Sequence, residues 1–190
     1  MILEDCDVDV PIRIPERIYS DIESKAVECL IDAGIKKYPI DSLEIVQNLG
    51  IHIAKYCDVP EKYRLYYLEG YSLIGPTREK SYILYSERYP KNVIRFTILH
   101  ELGHVVFQHK EDSELARKIV DHFAGYAIAP PPMIDKMGCK TVGDIMSAFE
   151  VTEKCAEVRL DYYNRWKNHQ IKNYEEKLLR HFGYSVQTEE

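Results

Sequence analysis

The sequence predicts an α+β fold, mainly helical, with a small antiparallel β-sheet and helices towards the C-terminal end. Three observations carry that expectation. Apolar residues recur at helical spacing over residues 19–33, 92–109, 113–129 and 152–179. Short β-branched and aromatic runs fall at 51–54, 71–74 and 81–85. Glycine, proline and capping residues separate these segments at the places where elements should end.

Taken in order, residues 1–18 read as an acidic, poorly ordered lead-in. Four acids occupy the first ten positions, and Pro11 and Pro15 each remove a backbone donor. That composition is unlike a secretory signal, which needs a basic start and an apolar run. The first helix follows over 19–33, with Ile22, Ala26, Val27, Leu30 and Ile31 on one face and Gly34 as its stop. Asp41 is the expected N-cap of a second, short helix that Gly50 closes. The three extended runs come next, the last two separated by Gly75-Pro76-Thr77, and make the small sheet. A central helix over 92–109 carries Ile94, Ile98, Leu99, Leu102, Val105 and Val106 as a broad apolar stripe. Another helix over 113–129 ends at Pro130-Pro131-Pro132, and helical periodicity returns over 141–149 and 152–179. Residues 19–168 are expected to form the main domain and 169–190 a helical extension and tail.

The 190 residues, 45% of them hydrophobic, suffice for one good core. A formal charge of −6 argues against general affinity for nucleic acid or anionic membrane. The five cysteines, Cys6, Cys29, Cys57, Cys139 and Cys155, are scattered without a Cys-x-x-Cys pair, so reduced thiols and a cytoplasmic location are expected. No stretch approaches the roughly 20 apolar residues of a membrane helix.

The chemistry-bearing feature is His100-Glu101-Leu102-Gly103-His104 in the middle of the central helix. Residues four apart lie one above the other, so both imidazoles can reach a single divalent ion. Glu101 stands about 100° round the helix, outside the ligand pair yet near enough to take a proton from water. Two histidines and a glutamate on an otherwise apolar helix are costly to bury unless something pairs with them. His109, five residues after His104, fails as a ligand by the same angular count, lying roughly opposite His100, and reads as a surface histidine at the helix end.

These residues, with Arg95-Phe96-Thr97-Ile98-Leu99 before them and Asp121-His122-Phe123-Ala124 and Ala129-Pro130 after, resemble the ImmA/IrrE family of metallopeptidases over about residues 38–166. The resemblance implies a zincin-like domain and a zinc-dependent endopeptidase that cuts helix-turn-helix repressors to regulate mobile-element or stress genes. It makes His100 and His104 zinc ligands and Glu101 the catalytic base. The sequence departs from the family at the third ligand: Arg117 and Ile119 occupy positions where the family carries acids. Asp121 is the preferred third ligand, with Glu114 and His122 as alternatives. In the competing reading Asp121 only orients a ligand histidine, Glu114 is solvated and His122 is a core residue bonded to backbone.

Two other functions stand beside this one. A noncatalytic regulator with the peptidase fold would bind a repressor or another protein without cutting it, and Arg117 is its support. A helix-turn-helix module over 141–167 is weaker, because five acids against four Lys and Arg leave no basic excess for phosphate.

Overall fold

The computed structural model describes residues 13–64, 69–111 and 113–185. The expected lead-in therefore lies largely outside the described residues. Its last part, Glu16–Ile18, is a single 3-10 turn, and Ile14 and Ile18 pack against the core.

Helix α1 (Tyr19–Asp32) and helix α2 (Ser42–Asn48) start and stop where capping chemistry predicts. The Asp41 carboxylate accepts from the backbone N–H of Leu43 at 2.9 Å. Gly34 and Gly50 both follow their helices at φ near +70°, a conformation that costs a residue with a Cβ. The central helix α3 (Lys91–Phe107) buries Ile98, Leu99, Leu102 and Val105 completely. Helix α4 (Glu114–Ile128), capped by the Ser113 hydroxyl, lies along it and also packs on α1.

The sheet is small, as expected, but mixed rather than wholly antiparallel. Strand β3 (Tyr82–Tyr85) is central, with β1 (His52–Lys55) parallel on one side and β2 (Gly70–Leu73) antiparallel on the other. Ile53 is level with Ile83, and Ser72 lies opposite the same residue. Alternation in sequence fixes which residues share a face but not the direction of a neighbour, and the 26-residue link from β1 to β3 is long enough for a parallel crossover. Gly75 sits in the link between β2 and β3, where a Cβ would come within 2.2 Å of the Lys80 carbonyl.

Two helical expectations are corrected. Pro130-Pro131-Pro132 ends α4 but also begins a short helix, α5 (Pro131–Lys136), because proline is tolerated in the first turn, where its missing N–H has no partner anyway. The single long helix expected over 152–179 is two, α7 (Glu153–Trp166) and α8 (Asn173–His181). The chain turns back between them so that buried Glu175 can accept from the Tyr126 hydroxyl at 2.8 Å, the Trp166 indole N–H at 2.7 Å and the Lys172 backbone N–H at 2.8 Å. Leu178 and Leu179 of α8 are thereby buried against the core. Helix α6 (Val142–Phe149) and α7 form a packed hairpin. Its turn is held by Arg95 of α3, which donates to the carbonyls of Phe149 and Glu150 and pairs with the Glu150 carboxylate at 2.8 Å.

Among the described residues no helix is long and apolar enough to cross a membrane. Cys29, Cys57, Cys139 and Cys155 are all unpaired.

Candidate metal centre

Close packing of three elements builds the site. A Cβ at Gly103 would lie 2.8 Å from Val120 Cβ, so glycine lets α3 and α4 approach and brings Asp121 beside His100. A Cβ at Gly70 would lie 2.7 Å from Thr97 Cγ2, so the start of β2 rests directly on α3 and brings Ser72 beside Glu101. Between them opens a cleft of about 590 Å³ whose lining includes Ser72, His100, Glu101, His104, His109 and Asp121.

The two histidines are held by their outer ring nitrogens. His100 Nδ1 is 2.8 Å from Asp121 Oδ1, and His104 Nδ1 is 3.3 Å from His109 Nδ1. A carboxylate oxygen can only accept, so His100 carries its proton on Nδ1 and leaves Nε2 as a lone pair. Burial lowers the His109 pKa, which favours the neutral ring, and a neutral His109 can accept from His104 Nδ1–H. When His104 donates from Nδ1 and both rings are neutral, two Nε2 lone pairs face each other 3.3 Å apart; when it accepts there, its Nε2–H donates to His100 Nε2 over the same distance. Two acceptors at that distance repel unless a proton or a cation lies between them. Nitrogen ligands about 2.0–2.1 Å from a tetrahedral ion are themselves roughly 3.3 Å apart, so the pair fits zinc.

Glu101 is 8% exposed, and its Oε2 accepts from the Ser72 hydroxyl at 2.8 Å. The serine holds one carboxylate oxygen in place at the lip of the cleft. One turn earlier on α3, the Thr97 hydroxyl donates to Glu69 at 3.0 Å and ties the same helix to the chain entering β2.

The candidates for a third ligand are distributed differently from the preferred expectation. Asp121 meets His100 on Nδ1, the side away from the shared Nε2 space, which is the geometry of an orienting carboxylate. Glu114 pairs with Lys118 at 2.6 Å, 56% exposed and outside the cleft lining. His122 is in the core as the competing reading has it, but its partner is a carboxylate rather than backbone: Nε2 lies 3.0 Å from Glu23 Oε1, with Tyr19 and Tyr162 edge-on to the ring. Arg117 lines the cleft. Among the described residues, no group of three His, Cys, Asp or Glu side chains converges as a ready-made cage.

His109 and Ser72 are the participants that sequence reasoning missed. His109 was placed on the far side of a continuing helix, but α3 stops at Phe107 and Gln108 turns left-handed at φ +53°. The His109 N–H then bonds back to the His104 carbonyl at 3.1 Å, which folds its ring over His104. Glycine usually marks that turn and would have signalled it; glutamine does not. Ser72, the one small hydroxyl in an aromatic and apolar strand, is the only local hint of its role.

No protein-family model matches the chain, and no curated protein matches it.

Proposed function

We propose that this chain is a zinc-dependent endopeptidase whose ion is held by His100 and His104. The observation that carries the reading is the pair of Nε2 atoms 3.3 Å apart, each ring fixed from behind, by Asp121 and His109 respectively. Such backing carboxylates and histidines set the tautomer and strengthen a ligand imidazole. Zinc bound there supplies Lewis acidity, which polarises a peptide carbonyl and acidifies water near neutral pH.

The chain's own residues supply the rest. Glu101 takes a proton from the attacking water and returns it to the leaving amine. Ser72 keeps the Glu101 carboxylate aimed while the proton moves. Strand β2 is at the edge of its sheet and contributes Gly70, Tyr71 and Ser72 to the cleft, so an extended substrate can pair with it and lie over the histidines. His100 and His104 would hold the ion, with Asp121 holding the His100 ring from its Nδ1 side. The resemblance to the ImmA/IrrE family points to a helix-turn-helix repressor as the protein cut, in the cytoplasm.

The test is cleavage of a candidate repressor by the zinc-loaded chain and by Glu101→Gln. Specific scission that falls by roughly 10²- to 10⁴-fold in the variant, with zinc retained, is the expected result. Equal scission by both would remove Glu101 from the mechanism.

A noncatalytic reading rests on one observation: Arg117, at a sequence position where the family resemblance expects an acid, lines the cleft. Under it, the zinc-loaded chain binds the repressor and leaves it intact.

A further inference from the structure

On α4, Asp121 marks the boundary between two cavities. The second, about 690 Å³, shares Asp121 and Phe96 with the metal cleft and is walled by α4, α7 and the N-terminal end of α1. Four cationic side chains line it: Arg13, Lys118, Lys154 and Arg159. Its only carboxylate among the described residues is Asp121, which is engaged with His100. Tyr19, Phe96 and Val158 supply apolar wall.

Arg159 is the informative residue. It is 2% exposed, and its Nη2 is buried with no hydrogen-bond partner. Its Nε donates to the Ala129 carbonyl at 3.0 Å, and the guanidinium stacks near the Tyr162 and Tyr126 rings at 4.8 and 5.7 Å. Glu23, a buried carboxylate whose charge acts on Arg159, is taken up by His122, Tyr162, Tyr174 and Lys172. A guanidinium removed from water is costly to keep charged, and an anion in the adjoining cavity is the partner that offsets it best. The volume is within the range of small-molecule sites, and cations around an apolar wall select an anion carried on an apolar body.

We propose that this cavity binds a small organic anion, a phosphate or carboxylate on an aromatic or apolar body, with Arg159 at its base and Arg13 and Lys154 at its rim. The site is separate from the histidine pair and does not rest on the peptidase reading. Because Asp121 borders both cavities, it is also the place from which an occupant can influence the orientation of His100.

The full chain is titrated calorimetrically with phenyl phosphate, benzoate, inorganic phosphate and, as a neutral control, phenol. The Arg159 side-chain Nε–H resonance is followed by NMR. At least one aromatic anion is expected to bind 1:1 with Kd below about 1 mM. It should shift the Arg159 resonance and lose about tenfold or more in affinity in the Arg13→Glu/Lys154→Glu double variant, while phenol does not bind. The ratio of phenyl phosphate to benzoate affinity tells which anionic group the cavity takes. These rim substitutions are on exposed side chains and leave the core and Arg159 intact. Any other outcome overturns the proposal: no anion bound, binding that leaves the Arg159 resonance still, or binding undiminished by charge reversal. None of these readouts uses metal or cleavage.

Discussion

Asp121 Oδ1 stands 2.8 Å from His100 Nδ1, across the contact between α4 and α3, and fixes which ring nitrogen of His100 is left to face the cleft. Its side chain is about half exposed, so its removal bears on the histidine and not on the core. Asp121→Ala is expected to keep the fold and lower zinc affinity about 10- to 100-fold, as loss of an orienting partner does. Asp121→Asn keeps an accepting oxygen and should retain most of the affinity. Competition against a chelator of known strength measures both. An Asn variant as weak as the Ala variant would make Asp121 a direct ligand instead.

Ser72 donates to Glu101 Oε2 at 2.8 Å, a hydrogen bond to a charged group. Such bonds contribute about 1.5–3 kcal/mol, so Ser72→Ala should lower kcat by roughly tenfold or more with zinc content unchanged. A change confined to KM would assign the hydroxyl to substrate binding.

Gly103 allows the close approach that makes the site, since a Cβ there would meet Val120 at 2.8 Å and Phe123 Cδ1 at 3.2 Å. Gly103→Ala, although the better helix former, is expected to destabilise the chain by about 1–3 kcal/mol through overpacking. It should also weaken zinc binding by moving Asp121 away from His100. Urea denaturation with parallel metal titration reads both, and a variant as stable as the parent would contradict the packing.

Much of this was legible before the structure. The helices α1 to α4 announce themselves through 3.6-residue periodicity and through local ends such as Asp41, Ser113, Gly34 and Gly50, because those signals lie within a few residues of what they determine. The histidine pair and Glu101 are legible for the same reason, being spaced along one helix. What was not legible depends on contacts distant in sequence or on a turn without its usual residue. Nothing between 152 and 179 is glycine or proline, so the break before α8 is set by the needs of buried Glu175. The parallel direction of β1 and the return of His109 over His104 are likewise decided by tertiary packing and by a left-handed glutamine. Sequence offers Asp121 as a third ligand or as an orienting carboxylate, and only its position in space, 2.8 Å from His100 Nδ1, bears on which.

Acid should destabilise the chain through Glu23. Burial would raise its pKa, but hydrogen bonds from His122, Tyr162 and Tyr174 outweigh that and hold it at about 2, against an ordinary 4.5. A depressed carboxyl contributes stability that is complete above about pH 4.5 and is lost as the pH falls towards 2. His122 acts in the same direction at higher pH: burial lowers its pKa, so protonation below 6.5 works against the fold. Glu175, whose pKa burial raises, opposes both in part. Urea midpoints are therefore expected to fall between pH 7 and pH 3. Glu23→Ala should cost about 3–5 kcal/mol at pH 7 and flatten that acid dependence. An equal midpoint at pH 7 and pH 3 in the parent would contradict the network.

Zinc stoichiometry after equilibrium dialysis tests the shared space between His100 Nε2 and His104 Nε2 most directly. One ion per chain is expected, with retention falling sharply in His100→Ala and in His104→Ala while both variants stay folded. A folded parent chain that takes up no zinc, or a His100→Ala/His104→Ala double variant that holds it as well as the parent, would contradict the metal centre.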